Sequence, residues 1–166
     1  MSNCVTTEEG HTTTLGNLLG GVKNPYLETS QWGWQIDPKG LRYTLNKIQD
    51  RYGIPIFIVE NGLGAVDQPD DNVFIRDDYR INYLRQHITE MERAVNSHVN
   101  LMGYTVWSAL DIVSSGTGEM KKRYGFIYVD KDDQGNGTMK RVRKKSFYWY
   151  KKVIETNGGD LTDIEL

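Results

Sequence analysis

The chain has 166 residues, 38% of them apolar and 25% charged, enough for one modest domain with a core of its own. A total of 20 Lys and Arg against 22 Asp and Glu gives a formal net charge of -2, which argues against a nucleic-acid or membrane-surface module. No run approaches the roughly 18 apolar residues of a membrane span, and Cys4, the single cysteine, cannot form an internal disulfide.

The opening Met1-Ser2-Asn3-Cys4-Val5-Thr6-Thr7 has neither the basic nor the apolar part of a signal peptide, so the expected location is the cytoplasm. Residues 1–31 are rich in Thr, Gly and Asn, with apolar contacts offered only by Cys4-Val5 and the stretch from Leu15 to Leu19, and read as a long loop or as a segment ordered by something else. Asp37-Pro38 then supplies a cap and a first-turn proline. Leu41, Leu45, Ile48 and Tyr52 follow at helical spacing as one buried stripe, and Gly53 stops the helix. Ile54 to Val59 is short, unbroken and β-branched, the pattern of a parallel strand covered on both faces. Asp77 or Asp78 caps a second helix with Ile81, Leu84, Ile88, Met91 and Val95 inward and Arg85, Glu90, Glu92 and Arg93 outward.

A second buried strand is expected from Leu101 to Trp107, and a short hairpin strand from Tyr124 to Val129, with its turn at Asp132–Gly137. A last helix spans Lys144 to Thr156 with Phe147, Tyr150 and Ile154 inward, and the tail after Asn157-Gly158-Gly159 is expected to fray. Alternating helices and buried strands predict an α/β fold with a parallel sheet. Two firm strands are too few for a self-contained sheet of that kind, so the chain reads as part of something larger.

Glu60 ends the first apolar strand, where a carboxylate is costly and where parallel α/β folds place catalytic groups. It reads either as a catalytic acid or as a cap on the following turn. Trp107 ends the other strand and reads either as a sugar platform on the same rim or as a packing aromatic. His87 and His98 read as structural or surface residues. The run Lys140, Arg141, Arg143, Lys144 and Lys145 reads as a solvated basic start to the last helix. No Cys/His cluster has zinc spacing, so no metal site is expected.

Five blocks in order carry a resemblance. Trp34-Gln35-Ile36-Asp37-Pro38-Lys39-Gly40-Leu41 matches W-x-I-x-P-x-G-L, and Ile56 to Gly62 resembles the I/V-x-E-N-G nucleophile strand of glycoside hydrolase family 1. Asp77 to His87 is similar to that family's D-x-x-R-x-x-Y-L-x-x-H helix, Tyr104 to Asp111 to its final barrel strand, and Lys122 to Asp130 to K-R-Y-G-x-x-Y-V-D. Residues 1–31 resemble the stretch after the sixth barrel strand. The resemblance implies a (β/α)8 TIM barrel, of which residues 1–166 form one partial domain: the loop-rich segment 1–31, the last two strand/helix units in 32–157, and a tail at 158–166.

It also implies chemistry. Glu60 would be the nucleophile, Trp107 would pack against the glycone, and Trp34 would support the pocket near the aglycone. Where ordinary β-glucosidases of the family have N-F-E-W, this chain has Ile112-Val113-Ser114-Ser115. Losing a carboxylate there favours a phosphorylated sugar. Members acting on 6-phospho-β-glycosides pair such a Ser with the Lys and Tyr of K-R-Y, which implies Ser114, Lys122 and Tyr124 as phosphate ligands, with Ser115 sharing or taking the serine's role. No metal or organic cofactor is implied.

Retaining glycosidases need a second carboxylate, which the family carries in an N-E-P motif absent from this sequence. A whole barrel needs ~250 residues. The chain is therefore expected to be the C-terminal portion of a bacterial 6-phospho-β-glucosidase. Its expected partners are a 6-phospho-β-glucoside and the missing barrel portion, or another copy of itself. The alternative is a non-catalytic remnant or a module that binds phosphorylated sugar.

Overall fold

The computed structural model describes residues 24–166 and, upstream of them, the backbone of two short paired segments. These segments are β1 (Cys4–Val5) and β2 (Gly21–Val22), which pair antiparallel. The expected contacts of Leu15 to Leu19 lie outside the described residues. There follow α1 (Pro38–Tyr52), β3 (Ile56–Asn61), α2 (Asp78–Asn96), β4 (Leu101–Val106), β5 (Ile127–Val129), β6 (Arg141–Arg143) and α3 (Lys145–Glu155). β3 and β4 pair parallel and β5 and β6 antiparallel, and the described strands form no closed barrel. Among the described residues no helix is long and apolar enough to cross a membrane.

The start and stop of α1 follow from its sequence. Asp37 Oδ1 accepts from the Gly40 amide at 2.8 Å, and Gly53 takes the left-handed conformation that lets its amide reach Gln49 O. Leu45 is buried against Met91, Ala94 and Val99 of the α2 region, but Tyr52 is exposed in the last turn, with the Arg51 guanidinium 5.6 Å from its ring. The buried stripe thus ends a turn before the helix does.

β3 starts two residues later than expected, because Pro55 has no amide for the ladder; Ile56 N–H makes the first bond, to Asn100 O at 2.8 Å. Ile56 and Ile58 pack toward α1 and α2, whereas Phe57 and Val59 are exposed on the other face, Val59 at 76%. The strand is therefore covered on one face only, against the expectation from its unbroken apolar run. In a closed parallel barrel such a face lines the interior.

α2 and α3 each bury a different face from the one their apolar spacing predicts at one end. Val95 is exposed, while Glu90 is buried and paired with Arg42 at 3.1 Å and Arg93 at 2.6 Å. In α3, Trp149 and Val153 are buried and Ile154 is exposed. The reason is the tail, which does not fray: Leu161 and Ile164 pack on the core, and Trp149 Nε1 donates to Thr162 O at 2.9 Å. Arg85 Nε also holds Leu161 O at 2.8 Å.

The basic run before α3 is not uniformly solvated. Lys144 has no exposed surface, and its Nζ lies 2.5 Å from Asp67 Oδ2 and 2.7 Å from Asp111 Oδ1. The Asp111 contact is an aligned hydrogen bond, and the Asp67 contact is a close charge pair. Two loops, one following β3 and one following β4, are thereby fixed to the start of α3. Removing one member of a buried ion pair leaves uncompensated charge, at a cost of about 3–5 kcal/mol. Lys144→Met should lose stability on that scale in chemical denaturation, and the exposed Lys140→Met should stay within about 0.5 kcal/mol of the parent. Equal effects would show that Lys144 is not an anchor.

Candidate active site

The geometry of Glu60 begins with its neighbour. The ladder register shifts between Ile58 and Asn61, so the side chains of Ile58 and Asn61 both face the helices while Val59 and Glu60 are both exposed between them. Two tyrosines hold that arrangement: Asn61 Nδ2 donates to Tyr83 Oη at 3.2 Å, and Tyr104 Oη donates to Asn61 Oδ1 at 2.9 Å. Burial pushes the Tyr83 phenol up to about 12, which keeps it a neutral partner for the amide. Glu60 then opens into a cleft of about 290 Å³ lined also by Ser30, Trp34, Gln35, Asn61 and Tyr83. It is the only carboxylate lining that cleft among the described residues.

Trp107 follows the end of β4. Its amide donates to Asn61 O at 2.7 Å, and its ring meets Tyr124 edge to face with centroids 6.0 Å apart. Both strand ends are therefore tied to one rim. Tyr124 Oη in turn donates to Ser114 Oγ at 3.0 Å, with both residues buried. The serine's loop is closed by Ser114 N–H to Glu119 O at 2.9 Å and Gly118 N–H to Ser114 O at 2.8 Å. Ser115 is exposed and outside this contact.

Lys122 completes the group in an unusual way. It is 3% exposed, and its ammonium lies 4.0 Å from the centroid of Trp34, 5.2 Å from Trp32 and 5.8 Å from Tyr124. Gly64 backs it: a Cβ there would sit 2.7 Å from Lys122 Cγ and 2.9 Å from Tyr124 Cε1, so only glycine leaves room for both. Trp32 is held by its indole N–H to Glu119 Oε2 at 3.1 Å. Hydrogen bonds from Lys121, Thr117 and Trp32 bring the Glu119 carboxyl down to about 2. Trp34 belongs to both groups, lining the Glu60 cleft and covering Lys122.

Sequence reasoning missed two supports of this site. Trp32 stands two residues before the W-x-I-x-P block and only its spacing to Trp34 hinted at a paired role. Arg80 lies in the D-x-x-R motif, buried, and donates to Leu63 O at 3.0 Å, Tyr124 O at 2.7 Å and Arg123 O at 3.2 Å. It thereby binds the loop after Glu60 to the segment carrying Lys122 and Tyr124. Among the described residues no cluster of His, Cys, Asp or Glu could hold a metal.

The sequence model described as Glycosyl hydrolase family 1 matches residues 1–159. The chain belongs to this family. An aryl-phospho-β-D-glucosidase of Bacillus subtilis, BglH, is 65% identical over 146 residues, 88% of this chain and 31% of the relative. A 6-phospho-β-glucosidase of Clostridium longisporum is 57% identical over 166 residues, 97% of this chain and 35% of that protein. The structure of a family 1 β-glucosidase from Thermotoga maritima superposes with a TM-score of 0.76 at 35% identity, covering 85% of this chain and 31% of that one. The chain thus spans about a third of the length of the curated relatives it matches, and its strands and helices correspond to part of the family's TIM barrel.

His87 extends this family helix toward the site. It is buried, lies tilted against the Tyr83 ring with centroids 4.0 Å apart, and places Nδ1 2.7 Å from Tyr83 O. Burial lowers its pKa below the ordinary 6.5. The unfolded chain therefore takes up this proton first, and stability falls as pH drops below 6.5, by up to about 1.4 kcal/mol per pH unit. His87→Gln should flatten that acid limb in pH-dependent denaturation; an unchanged slope would mean that other groups set it.

Proposed function

We propose that this chain is the C-terminal part of a retaining 6-phospho-β-glucosidase, contributing the nucleophile and the phosphate site. The observation that carries the reading is the Ser114–Tyr124 hydrogen bond with the Lys122 ammonium beside it, on the rim that also holds Glu60 and Trp107. A hydroxyl, a phenol and a buried cation suit a phosphoryl dianion, for which charge-assisted hydrogen bonds are the strong contacts. The hydrogen bond of Ser114 with Tyr124, which the exposed Ser115 does not share, supports Ser114 as the serine of that site.

In this mechanism Glu60 attacks the anomeric carbon of a 6-phospho-β-glucoside while a carboxylic acid elsewhere in the barrel protonates the leaving oxygen. The glycosyl–enzyme ester then reacts with water, regenerating the Glu60 carboxylate with net retention. Trp107 packs on the apolar face of the glycone, and Trp34 flanks the cleft on the aglycone side. A phosphorylated sugar does not cross a bilayer unaided, which supports a cytoplasmic location for the enzyme. The exposed Phe57 and Val59 mark the face that the rest of the barrel covers. Alone, the chain should self-associate through it; a compact monomer by light scattering at micromolar concentration would argue against a missing partner.

The chain alone should not turn over a nitrophenyl 6-phospho-β-glucoside, since it lacks the acid. Combined with the remaining portion of a family barrel, it should do so, and a 2-fluoro 6-phosphoglucoside should label Glu60 on peptide mapping. A label on another residue refutes the nucleophile. In the same complex Lys122→Ala should raise KM for the phosphorylated substrate tenfold or more, as expected for losing a charge-assisted bond of roughly 1.5–3 kcal/mol. Equal losses on the non-phosphorylated glucoside would make Lys122 a structural residue.

A further inference from the structure

We propose that Glu119 is a positioning residue of the phosphate site: its carboxylate holds the Trp32 ring on Lys122, and its backbone carbonyl holds the loop that presents Ser114. The inference rests on the reading of Ser114, Lys122 and Tyr124 as phosphate ligands and deepens it, by naming the residue that ties the cation of that site to its hydroxyl.

Glu119 lies in the chain between the serine and the lysine of the site. Each oxygen of its carboxylate has a partner: Oε2 accepts from the Trp32 indole N–H at 3.1 Å, and Oε1 pairs with Lys121 Nζ at 2.7 Å. Its carbonyl oxygen accepts from Ser114 N–H at 2.9 Å. Trp32 is half-buried, with its ring centroid 5.2 Å from the Lys122 ammonium. The segment that carries Glu119 is itself anchored from outside the site. Asp133, in the turn between β5 and β6, accepts the Met120 and Lys121 amides on one oxygen, at 2.6 and 2.8 Å. With the next two amides held, the Glu119 side chain reaches Trp32 from a fixed base.

The physical need for such a residue comes from the lysine. An ammonium on a flexible stem takes its position from what surrounds it, and Lys122 is surrounded by the rings of Trp32, Trp34 and Tyr124. A ring face attracts a cation only within about 6 Å of its centroid, so an indole free to turn would give up that contact. An indole tied through its N–H to a carboxylate keeps it. Hydrogen bonds from Lys121, Thr117 and Trp32 bring the Glu119 carboxyl down to about 2, so at neutral pH it is always an ionised acceptor for the indole. The two routes differ in what they depend on. The Ser114 contact is made by the backbone and survives a substitution at Glu119, whereas the Trp32 contact needs the side chain.

The test uses the chain in complex with the remaining portion of a family barrel, and compares KM and kcat for a nitrophenyl 6-phospho-β-glucoside and for the same glucoside without phosphate. Glu119→Ala should raise KM for the phosphorylated substrate about threefold to thirtyfold, the range of one cation–π contact. The larger share of the loss should fall in KM rather than kcat, and the non-phosphorylated substrate should lose less. Glu119→Gln, whose amide oxygen still accepts from the indole, should recover most of the affinity although the charge is gone. Trp32→Phe, which keeps a ring but has no donor, should also raise KM, and adding Glu119→Ala to it should cost less than about twofold more. An unchanged KM in Glu119→Ala, Gln behaving as Ala, effects of Glu119→Ala and Trp32→Phe that multiply in full, or equal losses on both substrates would each overturn the positioning role and leave the phosphate site standing. Should Glu119→Ala fail to assemble, Trp32→Phe decides: a raised KM for the phosphorylated substrate supports the role and a parental KM overturns it. A parent complex that is inactive or does not prefer the phosphorylated substrate would overturn the phosphate-site reading and this inference with it.

Discussion

A lysine without exposed surface organises this molecule. A buried ammonium is costly unless opposite charge meets it, and Lys144 draws carboxylates from two places: Asp67 in the loop after β3 and Asp111 in the loop after β4. Asp111 also accepts from the Gly125 amide at 3.0 Å and faces Arg123 at 3.8 Å. Each constraint falls one to three residues from a site residue, since Gly125 follows Tyr124 and Asp111 precedes Ser114 by three. The pairing that anchors α3 thus also sets the distance at which the phenol meets the serine.

The remaining order of the site is layered on that anchor. Arg80 joins the carbonyls of Leu63 and Tyr124 from beneath, and the Ala65–Arg123 backbone bridge closes the same seam with bonds of 3.0 and 2.8 Å. On the strand side, Asn61 is clamped by the buried Tyr83 and the half-buried Tyr104, which leaves Glu60 facing the cleft. Under the proposed function, stiffness at both ends, around Glu60 and around the Ser114–Lys122–Tyr124 group, is what a bond-cleaving site needs, because small displacements of a reacting group are expensive in rate. Trp34 is the one component common to both ends.

Much of this was legible in the sequence. Asp37-Pro38 and Gly53 fixed the limits of α1, because caps act locally and need no tertiary context. Five ordered motifs carried the family, and the roles proposed for Glu60, Trp107, Ser114, Lys122 and Tyr124 rest on that resemblance. The errors share one cause: spacing reports which residues are apolar but not what is available to cover them. Phe57 and Val59 read as buried and are exposed, since no described element packs on that face. Ile154 lost its place to Trp149 because the tail docks there. Glu90 and Lys144 read as solvated and are buried, since their partners lie distant in sequence, 48 residues away at Arg42 and 33 at Asp111. Ion pairs of that kind leave no periodic trace.

The most direct measurement of the account is a crystal structure of the chain, in complex with the rest of a family barrel, bound to glucose 6-phosphate. The account predicts the phosphoryl oxygens within hydrogen-bonding distance of Ser114 Oγ, Tyr124 Oη and Lys122 Nζ, and the anomeric carbon facing the Glu60 carboxylate. A phosphoryl group held elsewhere, or a sugar whose anomeric carbon points away from Glu60, would contradict it.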